Sequence, residues 1–528
     1  MKHFIFLIAL MNSGFVNSQS PAVPDPPSET RPGKYWVFFD SSENETLSPK
    51  YMQAVKDAGY NIVNHSRWFN AIVIESQCPP VNLREEFPFV TWIRPVAELI
   101  TIKSESGAAN SGILFSQETD EMYGHSAVQN RMLNIGWMHK RGFRGEGVRV
   151  GVFDAGFYSV NKLAAFDSLW KNGRMIGYWD FSSNDSSVFE DDHHGMGVLS
   201  TMAANLPGEM IGTAPDASYL LARTEVASSE TRQEEDNWVR ALEWADSIGI
   251  DILHTSLGYS VFDSAAENYK YQDMNGGTAM ITLAADKAAK RGILVVTSAG
   301  NEGLKSWRYI TAPCDADSVL CVGAVDSSGD RAWFSSIGPT FDGRIKPEVA
   351  AMGEQAAHIN GAGGVSLGNG TSYAAPMVAG LAACLMQAHP VRSNMDIYDA
   401  IRLSGSHVET PDSKTGTGIP DARKADSILA VMDALEIPAG DMSSTITHFW
   451  WYPDADNRIL YLVNLTGVYK VLGMDLRDPE TAEIKLTVEA KGKKELKKWN
   501  ISSLPQGTYL MEIRLEGCKE PASGIFRK

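Results

Sequence analysis

The sequence predicts an α/β protein: a mostly parallel sheet with helices on both faces, preceded by a small α+β unit and followed by a β-sandwich. Three observations carry this. From about residue 147, apolar strand-length runs alternate with helix-length segments, the pattern of a parallel sheet covered on both sides. The stretch from Ala374 to Met386 is apolar on every face, which suits only a helix in the centre of a large domain. Beyond about residue 440 the pattern turns to short alternating runs, the mark of a sandwich.

Composition narrows the class. With 44% hydrophobic and 21% charged residues the chain is of globular type. A net charge of −17 argues against non-specific binding to nucleic acid. Five cysteines in 528 residues leave the domains to be held by apolar cores, not by a disulfide framework.

Taken in order, residues 1–18 have the pattern of a secretory signal. Lys2 is basic, Phe4 to Met11 is apolar, and Val16-Asn17-Ser18 offers small residues before a cut near Gln19. The apolar run is too short for a membrane anchor. The protein is therefore expected to be secreted or held at the cell surface. A Pro-rich linker, Pro21 to Pro27, follows.

Residues 34–100 read as a separate domain. Strands are expected at Tyr35 to Phe39, Asn61 to Asn64, Ala71 to Glu75 and Phe89 to Arg94, and helices at Pro49 to Ala58 and Val81 to Glu86. That order is the ferredoxin-like β-α-β-β-α-β pattern. The polar stretch Lys103 to Ser111 suits proteolytic processing, with a cut between about residues 100 and 120.

The large domain, residues 120–436, has expected strands at Val148 to Asp154, Met175 to Phe181, Tyr219 to Arg223, Ile250 to Ser256, Ile293 to Ser298 and Val319 to Val325. Helices are expected at Asp236 to Ser247, Ala279 to Lys290 and Ala422 to Leu435. In such sheets functional groups collect at the C-terminal ends of the strands. Asp154 ends the first of these strands. His194 precedes a small apolar stretch, residues 195–204, expected as a buried helix. Ser256-Leu257-Gly258 closes another strand, and Asn301 follows the strand ILVVTSAG. Thr371 and Ser372 stand where a loop of small residues, Gly361 to Gly370, enters the apolar helix; Pro376 is expected in that helix's first turn. Unpaired N–H groups at that end favour negative charge and suit an oxyanion.

Each feature alone has an ordinary explanation: a cap at Ser372, a turn at Asp154 or Asn301, a structural role for His194. Together they resemble the subtilisin-like serine proteases (subtilases). The segment from Gly370 reads G-T-S-x-A-A-P-x-V-A-G, and Asp, His and Ser occur in the subtilisin order. The resemblance covers roughly residues 120 to 430. It implies a secreted serine endopeptidase made as a zymogen, with Asp154, His194 and Ser372 as catalytic triad. It further implies Asn301 as the oxyanion-hole amide, Ser256, Leu257 and Gly258 as a strand that binds the substrate backbone, and residues 34–100 as the propeptide. Ser66 to Ala71 also resembles the N-terminal segment of secreted Bacteroidetes-type subtilases. Phe334 to Thr340 and Asp342 to Glu348 match scaffold around the catalytic loop. The partners so implied are a protein or peptide substrate and the chain's own propeptide, with no nucleic acid.

The chain departs from the family at two places. The motif H-G-T-H-V-A reads His194-Gly195-Met196-Gly197-Val198-Leu199 here, and Ala155 stands where many subtilases have Thr. The altered His motif keeps open a second reading, a catalytically impaired subtilase-fold surface or binding protein. An esterase of the α/β-hydrolase type would need G-x-S-x-G, and Ala374 occupies the last position. No cofactor and no metal-ligand spacing is evident. Family members often bind structural calcium through loop carbonyls, which leave no sequence trace.

Residues 440–528 are expected to form the β-sandwich. Trp450 to Pro453, Leu504 to Tyr509 and the basic finish Phe526-Arg527-Lys528 resemble the sorting domains of the type IX secretion system. That resemblance implies outer-membrane secretion machinery as a partner; the alternative is a substrate-binding or stabilising β-domain. Cys314 and Cys321 are close enough in sequence to pair, but spacing leaves pairing open. Cys384 lies in the apolar helix and reads as core.

Overall fold

The computed structural model describes residues 33–40, 47–76, 80, 83–96, 121–226, 228–434 and, from residue 449, stretches of strand up to residue 527. The leader, the Pro-rich linker, the processing region and Cys78 and Cys518 lie outside the described residues. The chain divides into two compact units after Val96.

The first unit has four strands, β1 (Gly33–Phe39), β2 (Asn61–Ser66), β3 (Ala71–Ser76) and β4 (Val90–Val96), with helices α1 (Pro49–Asp57) and α2 (Leu83–Glu86). They form one antiparallel sheet in the order β2-β3-β1-β4. Alternation on β1 sends Tyr35, Val37 and Phe39 into a core with Val55, Ile72, Ile74 and Leu83. On the other face Phe38 stacks on Trp92 at 4.7 Å. This is the predicted β-α-β-β-α-β order.

In the second unit α3 (Ala127–Met132) and α4 (Gly136–Lys140) precede β5 (Arg149–Asp154), α5 (Asp167–Lys171) and β6 (Met175–Asp180). Then come α6 (His194–Ala203), a small hairpin of β7 (Asn205–Leu206) and β8 (Met210–Ile211), β9 (Ser218–Arg223) and α7 (Arg232–Ile248). There follow β10 (Ile252–Thr255), α8 (Met280–Lys290), β11 (Leu294–Ser298), β12 (Val319–Val325), β13 (Val349–Met352), and a hairpin of β14 (Ala356–Ile359) and β15 (Val365–Gly368). Helices α9 (Thr371–Ala388), α10 (Asn394–Leu403) and α11 (Ala422–Ala434) complete it.

The large sheet has seven strands in the order β13-β12-β11-β10-β5-β9-β6, all parallel. Helix α9 is buried along almost its whole length and packs over β10 to β13 and against α6. Its uniform apolarity is thus explained by contact on all sides.

Three expectations need correction. Pro376 is the sixth residue of α9, not a first-turn residue. Residues 361–370, expected as a loop, include β15 of the β14–β15 hairpin. Helix α7 begins at Arg232, earlier than the apolar period suggested, because Thr231 and Glu234 form a capping box before it. Cys314 and Cys321 are joined as a disulfide, and Cys384 is buried.

Past residue 449 the described strands form two antiparallel sheets. One holds β16 (Phe449–Pro453), β17 (Ile459–Asn464) and β20 (Leu496–Asn500). The other holds β18 (Val471–Arg477), β19 (Ile484–Glu489), β21 (Thr508–Leu515) and β22 (Ala522–Arg527).

Candidate active site

Strands β11, β10 and β5 are neighbours, so their C-terminal ends bring Asn301, Ser256 and Asp154 to one edge of the sheet. Asp154 is fully buried. Its Oδ1 accepts from Ala155 N at 2.8 Å and faces His194 Nδ1 at 2.7 Å. Its Oδ2 has no hydrogen-bond partner; with Ala155 in place of the family's Thr, the next residue brings no hydroxyl.

His194 reaches Asp154 because Gly195 lets the start of α6 come close. A β-carbon at Gly195 would overlap the Gly156 carbonyl oxygen and lie 2.7 Å from Asp154 Cβ. The acceptor carboxylate fixes the proton on Nδ1 and leaves Nε2 as the basic nitrogen. Burial opposes charging of His194, but Asp154, as neighbour and acceptor, and Asp192 outweigh it, so its pKa is raised. The side chain keeps 35% of its surface exposed, a route to a reacting molecule. His193 is exposed, and its ring makes a T-shaped contact with Tyr158.

Ser372 is the second residue of α9 and is 5% exposed. Its hydroxyl donates to the Ser256 carbonyl oxygen at 3.4 Å. Among the described residues no hydrogen bond joins it to His194; Tyr373 beside it faces the His194 ring at 6.4 Å between centroids.

Asn301 is oriented by Thr371. Its Oδ1 accepts from Thr371 N at 2.9 Å and from Thr371 Oγ1 at 3.0 Å, which leaves Nδ2 free to donate. Thr371 Oγ1 in turn accepts from Gly300 N at 3.2 Å. A β-carbon at Gly370 would stand 3.6 Å from Ser372 N and 3.7 Å from Asn301 Nδ2, so both nitrogens border one small space.

Ser256 turns its hydroxyl inward. Leu257 is buried and Gly258 exposed. Gly258 and Gly300 both face Thr311, which is buried and whose hydroxyl has no partner. Ser336, in the expected scaffold segment, accepts from Glu302 N at 3.0 Å.

The altered His motif has a structural counterpart. A β-carbon at Gly197 would lie 3.1 Å from His358 Nδ1 and 3.4 Å from the Tyr373 ring. His358 and Tyr373 stack at 4.5 Å and occupy the room that a side chain at 197 would need. His254, Thr311 and His358 escaped the sequence reading, as did the bonds by which Thr371 orients Asn301. Each is defined by a contact with a distant segment.

The sequence profile of the subtilase family matches residues 145–418. This chain belongs to the subtilase family. A second profile, the peptidase S8 propeptide domain of Bacteroidota, matches residues 41–110. The subtilase is 28% identical over 379 residues to subtilisin NAT of Bacillus subtilis subsp. natto, covering 71% of this chain and 86% of that one. It is 33% identical to subtilisin DY of Bacillus licheniformis over 285 residues, 53% of this chain and 88% of the other. It is also 31% identical to the thermostable alkaline protease of Halalkalibacterium halodurans over 295 residues, 56% and 71% of the two chains. The protein is a serine endopeptidase of the subtilisin family that acts on peptide substrates, and its propeptide makes it a zymogen. No described helix is long and apolar enough to cross a membrane. Among the described residues no group of three or more His, Cys, Asp or Glu is placed to hold a metal ion.

Proposed function

We propose that the subtilase cleaves peptide bonds with Asp154, His194 and Ser372 as its triad and Asn301 with the Ser372 N–H as its oxyanion hole. The observation that carries this reading is the 2.7 Å bond from His194 Nδ1 to the buried carboxylate of Asp154. On substrate binding the Ser372 hydroxyl turns from the Ser256 carbonyl to His194 Nε2, a bond that tightens only in the complex. His194 takes the proton, Ser372 Oγ attacks the peptide carbonyl, and Asp154 stabilises the imidazolium. Asn301 Nδ2 and Ser372 N hold the oxyanion. His194 then protonates the leaving amine, and water attacks the acyl-enzyme by the same route in reverse. Ser256, Leu257 and Gly258 pair with the substrate backbone as an added strand.

In this reading residues 1–18 direct export, residues 34–100 are the propeptide domain, and a cut between about 100 and 120 frees the catalytic domain, residues 120–436. Residues 440–528 are the sorting domain of a type IX route to the outside. Mature protein that begins before residue 34 refutes the processing scheme. Normal secretion of a chain lacking residues 440–528 refutes the sorting role.

Fluorophosphonate labelling tests the chemistry. Processed wild type is expected to label and Ser372→Ala not to. Processed wild type that stays unlabelled would transfer support to a catalytically impaired surface protein.

A further inference from the structure

Behind Ser372 lies a chain of groups that the proposed chemistry does not use. Pro376 has no N–H, so the Ser372 carbonyl, four residues earlier, lacks its helical donor. A buried carbonyl left that way is unfavourable. Ser256 Oγ fills the gap and donates to Ser372 O at 2.9 Å. Ser256 Oγ also lies 2.8 Å from His254 Nε2. A hydroxyl has one hydrogen, and here it is committed to Ser372, so the imidazole must be the donor in the second contact. His254 is fully buried on β10, and burial, against the opposing effect of the Val296 backbone, holds its pKa down to about 3, so it is neutral; the commitment of the Ser256 hydrogen to Ser372 then puts the imidazole proton on Nε2.

We infer that His254 is a positioning residue for the nucleophile, acting through Ser256. An N–H aimed at Ser256 Oγ turns the hydroxyl hydrogen away from itself and onto the Ser372 carbonyl. That pins the peptide on the C-terminal side of Ser372, while the bond from Thr371 N to Asn301 pins the N-terminal side. Without His254 the hydroxyl can rotate, and both Oγ and the N–H of Ser372 lose their fixed direction. The inference rests on Ser372 being the nucleophile.

The test uses protein expressed as the full chain and then processed: fluorophosphonate labelling rate, kcat and KM for wild type, His254→Leu, His254→Gln, Ser256→Ala and the Leu/Ala pair. His254→Leu is expected to lower labelling rate and kcat about tenfold, the effect of one hydrogen bond, with KM little changed. His254→Gln, whose amide nitrogen can take the place of Nε2, is expected to keep most of the rate. The double variant should be no slower than Ser256→Ala alone. Wild-type labelling by His254→Leu overturns the inference, as does a His254→Gln variant as slow as the Leu variant. Should His254→Leu fail to fold, Ser256→Ala decides: a drop of about tenfold supports the relay, and wild-type labelling overturns it. Unlabelled wild type refutes the nucleophile reading and this inference with it; labelled wild type with unaffected variants refutes the relay alone.

Discussion

At the scale of single residues, the parts of the site differ in how visible they were. Asp154, His194 and Ser372 could be proposed because they stand at element ends, in motifs and in a chain order that resemble the subtilisins. Thr311 could not. Its importance lies in what it fills: a β-carbon at Gly258 would overlap its Oγ1, and one at Gly300 would come within 2.9 Å. Gly258→Ala should therefore destabilise the protein by about 1–3 kcal/mol, the usual range for overpacking. Thr311→Ala removes the offending oxygen and should restore most of the loss. Thermal midpoints of the single and double variants, measured in a Ser372→Ala background to prevent self-digestion, check this. Equal midpoints for Gly258→Ala and its parent would show that the loop yields freely. The role of His254 was hidden for a similar reason, and so was the second role of Ser256, since the contact joins residues 254–256 to residue 372 and no local pattern announces it.

At the scale of elements, helix α6 shows how a departure from a family motif can be structurally consistent. Gly197 has no side chain, and the space is taken by His358 from β14 and Tyr373 from α9. Gly197→His, which restores the family residue, is accordingly expected to lower both stability and kcat. Combining it with His358→Ala should recover part of each. A Gly197→His variant more active than wild type would show that the space is not filled. The start of α7 makes a different case. Its polar residues Glu234, Glu235, Asp236 and Asn237 are buried, so an apolar period placed the helix too late. Nearby, burial and then Glu234 raise the pKa of Glu230 to about 8. Burial also raises Glu234 to about 7, and burial raises Glu225, which accepts from Tyr259 OH at 2.7 Å, well above the ordinary carboxylate range. A folded-state pKa above the ordinary 4.5 means the native state holds protons that the unfolded chain has released. This contribution is fully present below pH 4.5 and is lost as pH rises towards 8. Glu230→Gln should match its parent in denaturant midpoint near pH 4 and exceed it at pH 9. Parallel midpoints at both pH values would discount the shift.

At the scale of the whole molecule, the sheet joins strands far apart in sequence. Between β5 and its neighbour β10 in the sheet lie β6, α6, β9 and α7, and β13 closes the far edge. The fold class was legible from the alternation of runs, but β13 and the β14–β15 hairpin were not. Their strands are four residues each, β13 and β14 with two Ala apiece, and are set by pairing, not propensity. Non-local pairing of this kind folds slowly. A Ser372→Ala chain lacking residues 1–120 should regain native Trp fluorescence much more slowly after dilution from denaturant than the full Ser372→Ala chain. Equal rates would remove any templating role for the propeptide. Pro376 adds something to that picture. Because it denies the Ser372 carbonyl a partner within α9, that carbonyl is satisfied by a hydroxyl just past the end of β10. A protease is a hazard to the cell that makes it, and here the turn that holds the proposed nucleophile is finished by the sheet itself. If Ser372 is the nucleophile, a half-folded chain therefore carries its blade unassembled.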